Sequence, residues 1–360
     1  MSKIELKHID KFYGKNHVLK DLNLTIEDGD FMTLLGPSGC GKTTTLRVVS
    51  GLEKPQNGFI YMDGKEIVNA AEAYYAPPSQ RNLNLVFQSY ALWPHMTVFE
   101  NVSFGLKIKK IPSAEIEKMV ASALERMQIG QYAKRYPTEL SGGQQQRVAI
   151  ARTLAPEPDV LFMDEPLSNL DAKLRLEMRY ELQRLHVETG STFVYVTHDQ
   201  MEAMTLATKI CLVNNGVLQQ YDAPLDVYNR PNNLFVADFV GNPSINFIEG
   251  KGGQAADGTV KLSILNDVKA VFHPENPLDL AKWFAGRDQA ESDAEAVRQE
   301  KAKEKKYVEK SNKDETFKYH VQKVEEEDYS IEDEPVLTNE DLVLGVRPEC
   351  IKLADRGSLD

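Results

Sequence analysis

Cysteine is scarce in this 360-residue chain: there are 3, at positions 40, 211 and 350. So few thiols, so widely spaced, supply neither a disulfide framework nor the paired spacing of a zinc site, and they fit a reducing cytosol. Positive charge is also short. Lys and Arg number 42 against 54 Asp and Glu, a net charge of −12. Binders of a phosphate backbone are usually basic, so nucleic acid is not expected as a partner. No stretch is apolar for long enough to span a membrane, and Met1-Ser2-Lys3-Ile4-Glu5-Leu6 lacks the apolar run of a signal peptide. Work at a membrane would therefore go through a partner. No internal repeat is visible. What remains is an ordinary composition, 42% hydrophobic and 27% charged. It suits a soluble protein with a real core, and the length has room for one large domain and a smaller one.

Periodicity gives the organisation. Residues 4–26 alternate apolar and polar around Tyr13-Gly14-Lys15-Asn16, which predicts antiparallel strands. Phe31-Met32-Thr33-Leu34-Leu35 is a short apolar run that ends in a Gly-rich loop, followed by a helix over 42–49. Residues 59–62 and 83–87 are further strand candidates. Residues 100–136 read as helical, with 114–127 apolar at helical spacing behind the start signal Pro112-Ser113. Then come a strand at 160–163, a helix at 174–188 stopped by Gly190, a strand at 192–196 and a helix at 200–208. This alternation predicts an α/β domain on a largely parallel sheet covered on both faces. The character changes near Gly241-Asn242-Pro243. Short strand-like pieces follow at 247–250, 259–264 and 342–345, a small β-rich domain. The charged stretch 288–334 interrupts it and reads as an exposed helix or a disordered insertion.

Two motifs carry chemistry by residue type alone. Gly36-Pro37-Ser38-Gly39-Cys40-Gly41-Lys42-Thr43 fits G-x-x-x-x-G-K-[ST] between a strand and a helix, and Thr44 follows. Glycines let backbone N–H groups wrap phosphates, and the helix adds its positive end. Lys42 would neutralise the β- and γ-phosphates, and Thr43 would offer a hydroxyl to Mg²⁺. Asp164 and Glu165 follow the apolar strand at 160–163. A carboxylate at a strand end beside such a loop is where Mg²⁺ needs a ligand, and Glu165 could polarise an attacking water. Cys40 reads as a small filler of the loop. A second Ser/Gly loop, Leu140-Ser141-Gly142-Gly143-Gln144-Gln145-Gln146-Arg147, opens another helix about a hundred residues on. One chain has little use for two anion cradles on one nucleotide; two copies facing each other could each lend one to the other's ATP.

With these residues in place, the chain resembles the ATPase subunit of an ATP-binding-cassette transporter. Leu140-Ser141-Gly142-Gly143-Gln144 is similar to the signature motif of that family, and the likeness covers roughly residues 3–235. It implies a P-loop NTPase cassette with an antiparallel β subdomain and a helical subdomain near 89–155. It implies that Ser141, Gly142, Gly143 and Gln144 meet the γ-phosphate of ATP bound to the opposite subunit. It implies that Tyr13 stacks on adenine, that Gln88 touches Mg²⁺ and water, and that Asp171 lies in the D-loop Ser168-Asn169-Leu170-Asp171. His198, in Thr197-His198-Asp199, would contact the γ-phosphate. Together with Glu165 and Gln88 it would form the catalytic set; Thr43, Gln88 and Asp164 would hold the metal.

A narrower resemblance reaches further. The phosphate loop, Gln88-Ser89-Tyr90-Ala91-Leu92-Trp93-Pro94-His95 and Leu170-Asp171-Ala172-Lys173-Leu174-Arg175 are similar to carbohydrate-importer ATPases of the maltodextrin, multiple-sugar and glycerol-phosphate types. So are Phe239-Val240-Gly241-Asn242-Pro243 and Leu344-Gly345-Val346-Arg347-Pro348-Glu349, which would lie in an OB-like regulatory domain over 236–360. The charged insertion is longer than in that group and the chain stops early, so this barrel is expected to be incomplete. Implied partners are a second cassette, two membrane permeases and, indirectly, an extracellular solute-binding protein, with the chain on the cytoplasmic face of the membrane. A soluble cassette of DNA repair or translation is a different class. It would show coiled-coil insertions or a second cassette, and neither is visible here. A regulatory cassette that works mainly through protein contacts is a third reading.

Overall fold

A computed structural model describes residues 3–265, 268–274, 277–286, 289, 321–322 and 341–350. The chain divides into two compact units, Met1–Val240 and Gly241–Asp360. The first unit begins with β1 (Ile4–Tyr13), β2 (Asn16–Ile26), β3 (Phe31–Leu35), α1 (Lys42–Ser50), β4 (Asn57–Met62), β5 (Lys65–Asn69), β6 (Tyr74–Tyr75) and β7 (Leu83–Val86). It continues through α2 (Val98–Ile108), α3 (Ser113–Arg126), α4 (Gly142–Leu154), β8 (Val160–Asp164) and α5 (Ala172–Thr189). It ends with β9 (Thr192–Val196), α6 (Gln200–Leu206), β10 (Lys209–Asn214), β11 (Val217–Asp222), α7 (Pro224–Asn229) and α8 (Leu234–Phe239).

The predicted alternation of strand and helix gives a six-stranded sheet in the order β11-β10-β3-β9-β8-β7. All its pairings are parallel except β10 with β11. Side chains alternate across a strand, and here both faces are covered. On one face Leu161 and Met163 of β8 join Phe193 and Tyr195 of β9 in a core shared with α2, α3, α4 and α5. On the other, Val160 and Phe162 join Val194 and Val196 in a core shared with α1 and a second, antiparallel sheet, β2-β1-β4-β5-β6. This double burial is why β8 and β9 read as unbroken apolar runs. Full burial of a side chain such as Phe162 contributes about 1.5–3 kcal/mol.

Register sets the site. Leu34 of β3 pairs with Val196 of β9, Val196 with Asp164 of β8, and Met163 with Val86 of β7. The carboxyl ends of four neighbouring strands are therefore level. The phosphate loop, Glu165, His198 and Gln88 all leave the sheet at one edge, where ligands bind in open α/β sheets.

Helix limits follow local chemistry. α5 starts two residues before the predicted 174, because the Asp171 carboxylate accepts from the Leu174 N–H at 3.0 Å, and it stops at Gly190 with φ 63°. The helical stretch predicted over 100–136 is broken. α2 begins with a capping box between Thr97 and Glu100, Lys110 turns left-handed at φ 57° before Pro112, and only single 3₁₀ turns follow Met127. α6 stops at Leu206, short of the predicted 208, because Ala207 is extended. Among the described residues no helix is long and apolar enough to cross a membrane.

The second unit holds β12 (Asn246–Gln254), β13 (Val260–Ile264), β14 (Val268–Phe272), β15 (Val321–Gln322) and β16 (Asp341–Val346). They form a sheet in the order β14-β13-β12-β15, with β16 paired to β12. Val260, Leu262 and Ile264 pack with Leu280 and Phe284 beneath it. The charged insertion expected at 288–334 lies outside the described residues except for 289 and 321–322.

Candidate active site

The phosphate loop is held open by glycines that the backbone requires. Gly36, Gly39 and Gly41 have φ of 152°, 79° and 108°. A Cβ at Gly36 would stand 2.1 Å from the Val213 carbonyl oxygen, and one at Gly41 2.8 Å from Leu19 Cδ2. Gly41 precedes α1 with no side chain capping the helix, so the first-turn N–H groups are left to a ligand. Lys42 is nearly buried, and its ammonium donates to the Gly36 and Pro37 carbonyls, each at 2.8 Å. Among the described residues no carboxylate lies within ion-pair distance of it, and a buried cation without an anion is costly. A buried ammonium beside uncapped helix N–H groups suits a phosphate. Cys40 is buried, burial pushes its thiol up, and it packs in the core below the loop, as the filler reading expects.

The Thr43 hydroxyl donates to Asp164 Oδ1 at 3.0 Å. Burial pushes the Asp164 carboxyl above its ordinary range, against the lowering effect of that hydrogen bond. A hydroxyl and a poorly solvated carboxylate meeting at the foot of the loop suit a hard cation that takes oxygen ligands. No three His, Cys, Asp or Glu side chains converge as a metal cage among the described residues. A cation here would thus depend on Thr43, Asp164, Gln88 and the nucleotide's own oxygens.

Glu165 is one residue beyond the strand and turns left-handed, φ 43°. Its N–H donates to the Val196 carbonyl at 3.1 Å, and its own carbonyl accepts from Ser168 N–H and Oγ at 3.2 and 2.9 Å. These bonds over-determine a conformation that costs a non-glycine residue strain. The turn sends the carboxylate to His198, whose Nδ1 lies 3.2 Å from Glu165 Oε2. Gln88 Nε2 donates to Ser168 Oγ at 3.4 Å, and Asn169 Nδ2 to the Gln88 carbonyl at 3.3 Å. The 168–171 loop therefore joins Gln88 to Glu165. Asp171, which caps α5, closes this loop. Tyr13 ends β1, with its ring 43% exposed.

The second Ser/Gly loop is not brought into this group by any hydrogen bond among the described residues. Ser141 caps α4 in a reciprocal box: its hydroxyl accepts from Gln144 N–H at 3.4 Å, and Gln144 Oε1 accepts from Ser141 N–H at 3.0 Å. Gly143 is required by packing, since a Cβ there would meet Leu174 Cδ2 at 2.2 Å. Gly142 faces open space.

Two arginines outside the motifs, Arg81 and Arg152, and one at the end of the 170–175 segment, Arg175, shape the site. Arg81, buried, donates to the Ala76, Val48 and Val49 carbonyls and so closes the far end of α1. Desolvation lowers it to about 10. Arg152 of α4 donates to the Tyr90 and Ala91 carbonyls at 2.8 and 2.6 Å, gripping two consecutive left-handed residues just after Gln88. Arg175 reaches the Leu170 carbonyl at 3.2 Å and Asp199 at 3.5 Å, tying the 168–171 loop to the residue after His198. A cation four residues into a helix behind an Asp cap is the signal that could have found Arg175. Arg81 and Arg152 carry no such local signal.

A phosphate loop, a Thr–Asp cation foot and an adjacent Glu–His pair on one sheet edge define a P-loop nucleoside triphosphatase. The family model for ABC transporter matches residues 19–168. The trehalose/maltose import ATP-binding protein of Thermococcus litoralis is 47% identical over 270 residues, 74% of this chain and 73% of that protein. The spermidine/putrescine import ATP-binding protein of Acetivibrio thermocellus is 51% identical over 259 residues, 72% of this chain and 71% of that protein. The solved dimer of an ATP-binding cassette, bound to ADP and phosphate in a post-hydrolysis state, matches at 33% identity and a TM-score of 0.54. That match covers 61% of this chain and 98% of the cassette. The chain belongs to the ATP-binding subunits of ATP-binding-cassette transporters. It is an ATPase, and it works on ATP with Mg²⁺.

Proposed function

We propose that this chain powers import of a carbohydrate through partner permeases, with residues 1–235 as the cassette and 236–360 as a regulatory domain. The observation that carries the catalytic reading is the Glu165–His198 pair beside Thr43 and Asp164. Residues 36–44 cradle the phosphates and Tyr13 stacks on the base. Thr43, Gln88 and Asp164 would hold Mg²⁺, which would offset charge on the transferred phosphoryl group. Glu165 takes the proton of the attacking water, and His198 orients Glu165 and contacts the γ-phosphate. Ser141, Gly142, Gly143 and Gln144 complete the site of a second cassette. The exposed Gly142 and the dimeric state of the solved cassette support this. Two permeases and a solute-binding protein would complete the importer, with this chain on the cytoplasmic face of the membrane.

Glu165→Gln tests the chemistry. The variant should bind ATP, form a stable dimer and hydrolyse at least about a hundredfold more slowly, the usual reach of a positioned acid or base. Undiminished turnover would refute the assignment. The sugar reading is supported by the trehalose/maltose relative. Import of a polyamine is the second reading, supported by the spermidine/putrescine relative of similar identity. Deletion of the gene followed by uptake measurements separates them: loss of oligosaccharide uptake supports the first, and loss of spermidine uptake alone supports the second.

A further inference from the structure

Tyr13 is braced by a residue that the motif does not contain. Lys11 lies two positions back on β1, so its side chain leaves the strand on the same face as Tyr13. The Lys11 side chain is only 7% exposed. Its ammonium sits 4.8 Å from the centroid of the Tyr13 ring. It is fixed there by Glu53 Oε2 at 3.0 Å and by donation to the Lys54 carbonyl at 2.8 Å. Glu53 and Lys54 lie just beyond α1, and Glu53 N–H donates to the Arg47 carbonyl of that helix at 3.0 Å. The same helix carries the phosphate loop at its other end. Lys11 therefore sets the Tyr13 ring in a fixed place relative to the loop.

We propose that Lys11 is a positioning residue for the nucleotide base, fixing and polarising the Tyr13 ring so that adenine stacks on its open face. This rests on the reading that Tyr13 meets the base. An ammonium over one face of an aromatic ring draws on its π density, and a ring so polarised is a better stacking partner for an electron-rich purine. Burial makes the cation–π contact stronger than an exposed one, and Glu53 offsets the cost of burying the charge. The lysine also removes freedom that an exposed tyrosine would otherwise lose on binding.

The test is calorimetric titration of the full chain with Mg–ATP and, separately, with Mg–tripolyphosphate, which has the phosphates and no base. Lys11→Met should weaken ATP by about five- to tenfold, a cation–π contact of buried strength, and leave tripolyphosphate within about twofold. Lys11→Arg should restore most of the ATP affinity. In a Tyr13→Leu background, Lys11→Met should change neither ligand further. Equal weakening of both ligands by Lys11→Met would reduce Lys11 to a structural strut and overturn the proposal, as would no change in either. If Lys11→Met does not fold, Glu53→Gln takes its place and must weaken ATP alone. If Tyr13→Leu leaves the preference for ATP over tripolyphosphate intact, the base-stacking reading itself fails, a result distinct from failure of Lys11 alone.

Discussion

The loops 36–44 and 140–144 both lead into a helix through serine and glycine, yet they are built by opposite means. In the first, Gly36, Gly39 and Gly41 all have positive φ, and a Cβ would meet the Val213 carbonyl at Gly36 and the Leu19 side chain at Gly41. Its helix start has no side-chain cap, and the buried Lys42 donates to the Gly36 and Pro37 carbonyls, with no carboxylate within ion-pair distance among the described residues. In the second, Ser141 has an ordinary extended conformation and the helix start is satisfied by the Ser141–Gln144 box. Gly143 is explained by Leu174, and only Gly142 has no reason within the chain. One loop directs uncapped N–H groups and a buried ammonium to a single place. The other is finished as a piece of fold and unexplained at a single exposed position.

Substitutions can break this contrast. Gly36→Ala should have the largest effect, because strained φ and overlap with the Val213 carbonyl combine to about 4 kcal/mol. Thermal melting should fall by many degrees, and ATP binding with it; a melting point near wild type would show the loop to be softer than its geometry. Ser141→Arg should keep ATP binding at 36–44 close to wild type while hydrolysis by the dimer falls about a hundredfold or more. Turnover that survived would place the second loop outside the active site. Gly143→Ala should cost about 1–3 kcal/mol by overpacking Leu174. Adding Leu174→Ala should recover part of that loss in a denaturant titration, and failure to recover would mean the glycine serves something other than packing. Gly142→Ala should change stability by less than about 0.5 kcal/mol, as surface substitutions do. Its hydrolysis should nonetheless drop, and unchanged turnover would leave Gly142 without a role at a partner's site.

The motif residues were legible because each carries its chemistry locally. The phosphate loop lies between a strand and a helix as its pattern requires, and Asp171 and Gly190 mark the ends of α5 in the sequence itself. The hairpin of β10 and β11 was less visible. Asn215-Gly216, with φ of 48° and 78°, is a tight-turn signal, but the short run Ile210-Cys211-Leu212-Val213 reads equally as buried helix. Only pairing with β3 decides it as the strand that flanks the phosphate loop. The start of α3 was legible at Pro112-Ser113, whereas the helical reading of 100–136 does not hold beyond Met127, where only single 3₁₀ turns follow.

By itself, then, the sequence determined which residues could do chemistry and in what order they stand along the chain, because glycine freedom, charge and hydroxyl donors belong to residues. Their meeting was decided by tertiary structure. The level carboxyl ends of β3, β9, β8 and β7 bring Lys42, His198, Glu165 and Gln88 to one edge. Parallel register is fixed by burial on both faces of the sheet, a property of packed layers rather than of any short segment. The same holds for Arg81, Arg152, Arg175 and Lys11. Their roles exist only where the folded chain brings carbonyls, carboxylates and a ring within reach.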